Sequence, residues 1–235
     1  MPKYRYLALA AAGVMVLAPA GAAYATSAHH AAKKPVLTLS KVGGKAVSRG
    51  AKVTAGLAKD TTLKVSIGAE GTATCKTSAI TAKVTANPNS KGKAALSLTG
   101  QTVKASSCKI TVTGISGLSL KSMTAVNLPY GVTVSASKGG GKVSVTEASS
   151  KKPLGLSAAI EYSGTTYTCV FTAKSVSGTV KNKNNTVAFS KQPLSLNTSL
   201  TPSASLSVCE FAGKTAAFSA TYGPLKSGSK KVFVS

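Results

Sequence analysis

Apolar and polar residues alternate along most of the chain after residue 35, and β-branched residues occupy many of the apolar positions. Residues 62–67, 132–136 and 142–146 follow this two-residue period, which is typical of strands with one buried face. Clusters of glycine, asparagine and proline separate such runs and indicate turns. Beyond the N-terminal segment no window of helical length has an apolar stripe, so residues 205–209 are also predicted as a strand. The pattern predicts an all-β protein that folds as one or two antiparallel β-sandwiches.

A cysteine-marked segment occurs twice in the chain. The first copy starts at residues 71–75 (Gly-Thr-Ala-Thr-Cys) and the second at residues 164–169 (Gly-Thr-Thr-Tyr-Thr-Cys). Four cysteines allow three connectivities, and the repeat favours one disulfide in each of two related halves: Cys75–Cys108 and Cys169–Cys209. A tetrahedral metal site is disfavoured, because the cysteines of each copy are 33 and 40 residues apart and no C-x-x-C pair occurs.

Residues 1–25 have the layout of a signal peptide. Lys3 and Arg5 precede a short apolar run, and small residues stand at the end of the segment, as signal peptidase requires. We expect cleavage after Ala25, with Ala28 as the alternative, followed by a flexible leader at residues 26–35. The mature protein is expected to be secreted, with oxidised cysteines and without a transmembrane segment.

Two β modules are predicted beyond the leader, at residues 36–138 and 139–235, and one continuous sandwich is the alternative. The glycine-rich run at residues 138–142 lies at their boundary. We interpret this run as a hairpin turn, because residues 142–146 mirror the strand before it. A joint between two halves is the other interpretation.

The charge of the chain is strongly one-sided, with 29 basic and 5 acidic residues and a net charge of +24. Without residues 1–25 the balance is 27 basic to 5 acidic residues, and Arg49 is then the one arginine. Such a surface attracts polyanions in a salt-dependent way. Lysine lacks the bidentate geometry of arginine, so the charge indicates general attraction rather than recognition of one group. Alternatively, the lysines keep a secreted β protein soluble and unaggregated.

Several short motifs give the chain a resemblance to a group of exported proteins. These motifs are the Thr-Cys pairs at 74–75 and 168–169 and residues 127–130 (Asn-Leu-Pro-Tyr), 218–224 (Phe-Ser-Ala-Thr-Tyr-Gly-Pro) and 232–234 (Val-Phe-Val). In them the chain resembles small secreted all-β proteins of actinobacteria of the Streptomyces type, which carry two cysteine pairs and belong to no family of known function. The resemblance runs from residue 63 to the C-terminus. It implies a secreted β protein and assigns no site residue.

The side chains that enzymes use are scarce and scattered. Both histidines, His29 and His30, lie in the predicted leader, so a Ser-His-Asp triad lacks a histidine in the folded part. Glu161 and Glu210 are the best pair of carboxylates for glycoside hydrolysis, and ordinary ion pairs with nearby lysines are the alternative. The sequence therefore predicts no catalytic residue, no cofactor and no metal site.

Aromatic residues give two further binding interpretations. An exposed carbohydrate platform would use Tyr130, Tyr162, Tyr167 and Tyr222, although tyrosines in strands are more often half-buried. Specific nucleic-acid binding is not expected, because arginine is almost absent and no aromatic residues are interleaved with the basic ones.

These features favour a non-enzymatic exported β-sandwich protein that associates with anionic material of the cell envelope or extracellular matrix. Teichoic acid, acidic polysaccharide and released DNA are the candidate partners. One alternative is a small-ligand carrier with a cleft between its sheets. Another is an envelope hydrolase whose site the sequence does not reveal.

Overall fold

The computed structural model describes residues 34–68, 71–89, 91–147 and 152–235. The predicted signal peptide and residues 26–33 of the predicted leader lie outside the described residues. Within these ranges the chain forms seventeen strands, paired antiparallel, and one α-helix, α1 (Ser203–Ala212). The predicted antiparallel all-β class is confirmed. No helix in the described part of the chain combines the length and apolar character needed to cross a membrane.

The strands follow one another through mostly short turns. Their bounds are β1 (Leu37–Leu39), β2 (Lys52–Gly56), β3 (Leu63–Ile67), β4 (Gly71–Cys75), β5 (Ser78–Ala86), β6 (Ala94–Val103), β7 (Cys108–Val112), β8 (Ser119–Val126), β9 (Tyr130–Ser137), β10 (Gly140–Thr146), β11 (Leu154–Tyr162), β12 (Thr165–Ala173), β13 (Ser175–Lys181), β14 (Thr186–Leu196), β15 (Thr215–Tyr222), β16 (Lys226–Ser227) and β17 (Lys230–Val234). A 3-10 turn at Ala105–Ser107 precedes β7.

Eight of these strands form a closed ring in the order β2–β5–β6–β9–β10–β13–β14–β15. The ring closes where the end of β15 meets the residue after β2, since Leu57 pairs with Tyr222. Two backbone hydrogen bonds flank this pair: Ala58 N–H to the Thr221 carbonyl (2.9 Å) and Gly223 N–H to the Gly56 carbonyl (2.8 Å). Because successive side chains of a strand point to opposite faces, alternate residues of all eight strands face the interior.

The C-terminal strands cover one end of the ring. β17 pairs with β1 and β16, and β16 pairs with β2. Asn182 and Asn185 anchor β17, because their side-chain amides donate to the carbonyls of Val234 (2.7 Å) and Val232 (2.5 Å). The side chains of both valines are buried. The two amide groups thus provide hydrogen-bond donors for carbonyl groups of β17, while the buried valines of β17 pack against this end of the ring.

A second sheet has the strand order β8–β11–β12–β14–β15–β3–β4–β7. β14 and β15 belong to both the ring and this sheet. Residues 186–189 of β14 pair with β13 in the ring, whereas residues 195–196 pair with β12 in the second sheet. A register irregularity between Phe189 and Gln192 separates the two segments, and an irregularity of this kind lets one strand change its direction.

The two halves of the chain use the same pairing pattern. The pairs β2–β5, β5–β6 and β3–β4 recur as β10–β13, β13–β14 and β11–β12. Residues 138–139 form the turn of the β9–β10 hairpin, so the boundary between the predicted modules falls inside a hairpin. The ring takes four strands from each side of this turn, and the described residues belong to one compact unit.

The disulfides join Cys75 to Cys108 and Cys169 to Cys209, as the repeat predicts. Cys75 and Cys108 are opposite one another on β4 and β7. Cys169 lies on β12 and Cys209 on α1. Both bridges therefore lie in the second sheet and its covering helix rather than in the ring.

The strand predicted at residues 205–209 is wrong, because this segment belongs to α1. Ser205 and Cys209 are four residues apart and lie on one face of the helix, and both side chains are buried. The Ser205 hydroxyl accepts a hydrogen bond from the Thr168 N–H (3.0 Å), and Cys209 is bonded to Cys169. These contacts with β12 select the helix over the strand that the local alternation indicates. Gly213 ends the helix, and its N–H donates to the carbonyls of Cys209 and Glu210.

We expect Gly140→Ala to destabilise the fold by about 1–3 kcal/mol, in the range of overpacked sites. A Cβ at this position would overlap the carbonyl oxygen of Val180 on the paired strand β13. Gly139→Asn is the matched control, because Gly139 has a φ of +79° and open space around it, and asparagine tolerates this conformation. Chemical denaturation would measure both variants. Equal stability of the two would contradict the close approach of β10 and β13.

Candidate functional site

The interior of the ring contains an apolar cavity of about 160 Å³. Its walls come from all eight ring strands, with β17 at one side and residues 154–156 of β11 at another. Among the described lining residues, ten are valines and seven are leucines, while four are aromatic. The cavity is therefore a space between the side chains of a closed strand ring rather than a surface groove.

The cavity follows from the choice of small side chains. The sequence has no tryptophan and 5% aromatic residues, and valine dominates the inward positions of the ring. Protein interiors normally pack to crystal-like density. Enclosed apolar space left empty in a protein core is destabilising, and the loss of stability grows with the empty volume. An occupant that fills the space would recover part of this free energy.

One polar cluster interrupts the apolar wall. Tyr222 is 1% exposed, and its hydroxyl lies 3.1 Å from the Ser78 hydroxyl. Burial raises the pKa of Tyr222, and hydrogen bonding with Ser78 and Gln101 opposes that rise. Gln101 is also one of the residues that line the cavity. Gln101 and Tyr222 thus add hydrogen-bonding groups to a lining that is mainly apolar.

Tyr130 lines another part of the cavity, but its hydroxyl forms hydrogen bonds with backbone groups. This hydroxyl donates to the Val126 carbonyl, lies 3.2 Å from the Gly155 carbonyl oxygen and accepts from the Gly155 N–H (3.1 Å). Burial raises the pKa of Tyr130, and the hydrogen bond with Gly155 opposes the rise. The contacts tie β9 to β11, so Tyr130 holds the ring against the second sheet.

A second cavity, of about 50 Å³, is lined mainly by strands of the second sheet. Leu156 and Leu194 line both spaces and therefore stand between them. The smaller cavity is lined by apolar side chains and backbone and has no counterpart of the Ser78–Gln101–Tyr222 cluster among its described lining residues. The larger cavity is the better candidate site.

The structure places the predicted carboxylate pair beside lysines. Glu161 forms a salt bridge with Lys121 (2.7 Å), and Glu210 forms one with Lys214 (3.6 Å). These are the ordinary ion pairs that the sequence offered as the alternative to hydrolysis. His29 and His30 lie outside the described residues, and the described ranges contain no group of three side chains suited to a metal ion.

The four candidate tyrosines do not form one exposed platform. Tyr130 and Tyr222 are buried, whereas Tyr162 is exposed at the β11–β12 hairpin and Tyr167 is half-buried. The two buried tyrosines line the interior cavity of the ring.

Lysine covers the outer surface of the protein. All 24 lysines in the described ranges are exposed, and two of them, Lys121 and Lys214, form the salt bridges found there. The other described lysines face solvent and have no acidic partner among the described residues. This excess of positive charge is independent of the interior cavity.

No protein-family model, curated protein or solved structure matches this chain. The resemblance to small exported actinobacterial proteins therefore stays a prediction.

No sequence pattern marks Ser78 or Gln101 as a site residue. The pairing of β5 with β6 shifts register between Thr81 and Ala82, so that Ala82 faces Leu98 while Ile80 faces Gln101. Leu98 and Gln101 both line the cavity although they are three residues apart. A strict two-residue alternation would have placed Gln101 on the outer face, so only the irregularity in the pairing reveals its position.

We expect the free energy of unfolding to fall as the pH rises above about 10, partly through Tyr222. Because burial raises the pKa of this phenol in the folded state, the unfolded chain releases the proton first. The stabilising effect is therefore present below pH 10 and lost above it. Denaturation curves between pH 8 and about 11.5 should show a smaller fall for Tyr222→Phe than for the wild type, by up to about 1.4 kcal/mol per pH unit. Parallel pH curves for the two proteins would contradict this role of burial.

Proposed function

We propose that the protein binds a small, mainly apolar molecule inside the strand ring. The observation that carries this proposal is the cavity of about 160 Å³, which is apolar except near Gln101 and Tyr222. Ligand sites are typically apolar spaces with a few convergent polar groups. The proposed role is that of a carrier or binding protein without catalytic activity.

The size of the cavity limits the ligand. An apolar cavity of about 150 Å³ in another protein stays dry and binds benzene, while sites for drug-sized molecules are typically larger, about 300–1,000 Å³. A volume of about 160 Å³ suits one six-membered ring or a short branched chain. A hydroxyl or carbonyl on such a ligand would reach the amide of Gln101.

We place the entrance beside β6. The pairing of β6 with β9 ends at Leu98 and Tyr130, although β6 continues to Val103. Ile80, Leu98 and Gln101 line the cavity there and are half-buried. The wall is thus only partly covered where Gln101 lies, so a ligand could enter there with its polar end last.

Calorimetric titration with benzene and phenol tests the proposal. We expect both to bind, and phenol to bind about two- to tenfold more tightly, as one hydrogen bond provides. Val145→Phe should abolish binding, because Val145 lines the cavity and the larger side chain fills it. Val42→Phe is the matched control, since Val42 is 54% exposed.

A second variant, Gln101→Leu, tests the role of the Gln101 amide in the same titration. Gln101→Leu should retain benzene and lose the preference for phenol. Failure of the wild type to bind either probe would refute the proposed function. Unchanged binding by Val145→Phe would place the ligand elsewhere.

A second candidate function is association with anionic material outside the cell. Two observations support it. Every described lysine is exposed, and the salt bridges found in the described residues neutralise two of these lysines, Lys121 and Lys214. In this proposal residues 1–25 direct export, and the secreted, non-enzymatic protein binds teichoic acid or acidic polysaccharide at the cell envelope. The attraction would be electrostatic and sensitive to salt.

We expect the mature protein to be retained on isolated Gram-positive cell walls at low salt. Retention should fall steeply as the salt concentration rises, because each neutralised anionic group releases counterions. Removal of teichoic acid from the walls is the control and should abolish most of the binding. If the protein is not retained even at low salt, its lysines act in solubility alone.

A further inference from the structure

Four lysines lie close together on the outer face of four adjacent strands, and we call them the lysine strip: Lys52, Lys83, Lys226 and Lys231. Lys83 on β5 is directly opposite Lys52 on β2. Lys226 on β16 is directly opposite Lys231 on β17. β2 and β16 are paired through Thr54 and Lys226, so the two lysine pairs belong to one continuous surface.

The inner neighbours of these lysines fix their outward direction. Val53, Val84 and Val232 alternate with strip lysines along the strands and are buried. Val53 and Val232 also line the interior cavity. Since neighbouring side chains of a strand point to opposite faces, the adjacent lysines must face solvent, where all four are exposed.

This arrangement places like charges where they repel. Directly opposite side chains of an antiparallel pair have Cβ atoms about 4.5–5.5 Å apart, and like charges at such positions are destabilising. No acidic residue occurs on β2, β5, β16 or β17. The two salt bridges found in the described residues use other lysines. Nothing within these four strands therefore neutralises the strip.

We propose that the lysine strip is the contact surface for a linear polyanion that carries repeated phosphate or sulfate groups. The inference rests on the second candidate function and assigns it a place on the fold. The four charges are spread over three strand spacings, about 14 Å, and lie on an open face. A chain with several anionic groups can neutralise all of them together, whereas one phosphate or sulfate ion can contact only one pair.

Binding to inorganic polyphosphate and to heparin, measured over a salt series, tests the strip. The test variant combines Lys52→Gln, Lys83→Gln, Lys226→Gln and Lys231→Gln. The matched control carries the same substitutions at four other exposed lysines outside the salt bridges: Lys64, Lys109, Lys138 and Lys174. The two variants have equal net charge, so they differ in the position of the lost lysines alone.

The slope of log affinity against log salt changes by about 0.7–0.9 for each lost phosphate contact. We expect it to fall by about 3 in the strip variant and by less than 1 in the control. An equal fall of the slope in both variants would overturn the assignment of binding to the lysine strip and leave a general attraction for polyanions. If the wild type binds neither polymer, the second candidate function itself is refuted.

Two further measurements test the preference for a polymer and the repulsion among the four lysines. Monomeric phosphate should compete poorly with polyphosphate at equal phosphate concentration, and equally effective competition would overturn the assignment to a polymer. The strip variant should have a higher melting temperature than the wild type at low salt, and the difference should vanish at high salt because repulsion is screened. A strip variant that is less stable at low salt would show that the lysines do not repel one another.

Discussion

The pairing of β14 with β15 is the interaction on which the rest of the structure depends. Its register extends from Val187 opposite Tyr222 to Ser195 opposite Thr215, across both the ring and the second sheet. Phe189 and Phe218 pack near its middle, with ring centroids 6.0 Å apart. A slip of one residue would turn every inward side chain of a strand to the outer face. This register therefore decides that Phe218 and Tyr222 of β15 and Phe189 of β14 line the larger cavity.

The composition of the interior explains why a closed ring of strands encloses empty space. Rings of about eight strands have an interior that side chains can just fill or that can hold one small ligand. Here the inward positions are mainly valine, and Trp is absent from the chain. Small side chains let the strands close tightly but leave the centre unfilled. The two disulfides brace the second sheet, so the ring itself is held by strand pairing and by the asparagine contacts to β17.

The sequence alone was sufficient for the fold class and the disulfide partners, because both depend on local patterns. Strands such as β2 and β10 alternate buried and exposed residues as their sequences predict, and the repeated segment pairs Cys75 with Cys108. Closure of the ring could not be predicted, since the pair Leu57–Tyr222 is 165 residues apart along the chain. The helix α1 and the inward position of Gln101 also depend on partners distant in sequence. In both cases long-range contacts override a local two-residue period.

The two candidate functions use opposite faces of the same strands. On β2 the outward Lys52 belongs to the lysine strip, and the next residue, Val53, lines the cavity. This follows from the two-residue period of a strand, which assigns adjacent residues to different environments. Substitutions on one face leave the side chains of the other in place. Interior binding and surface binding can thus fail separately, and the loss of one carries no information about the other.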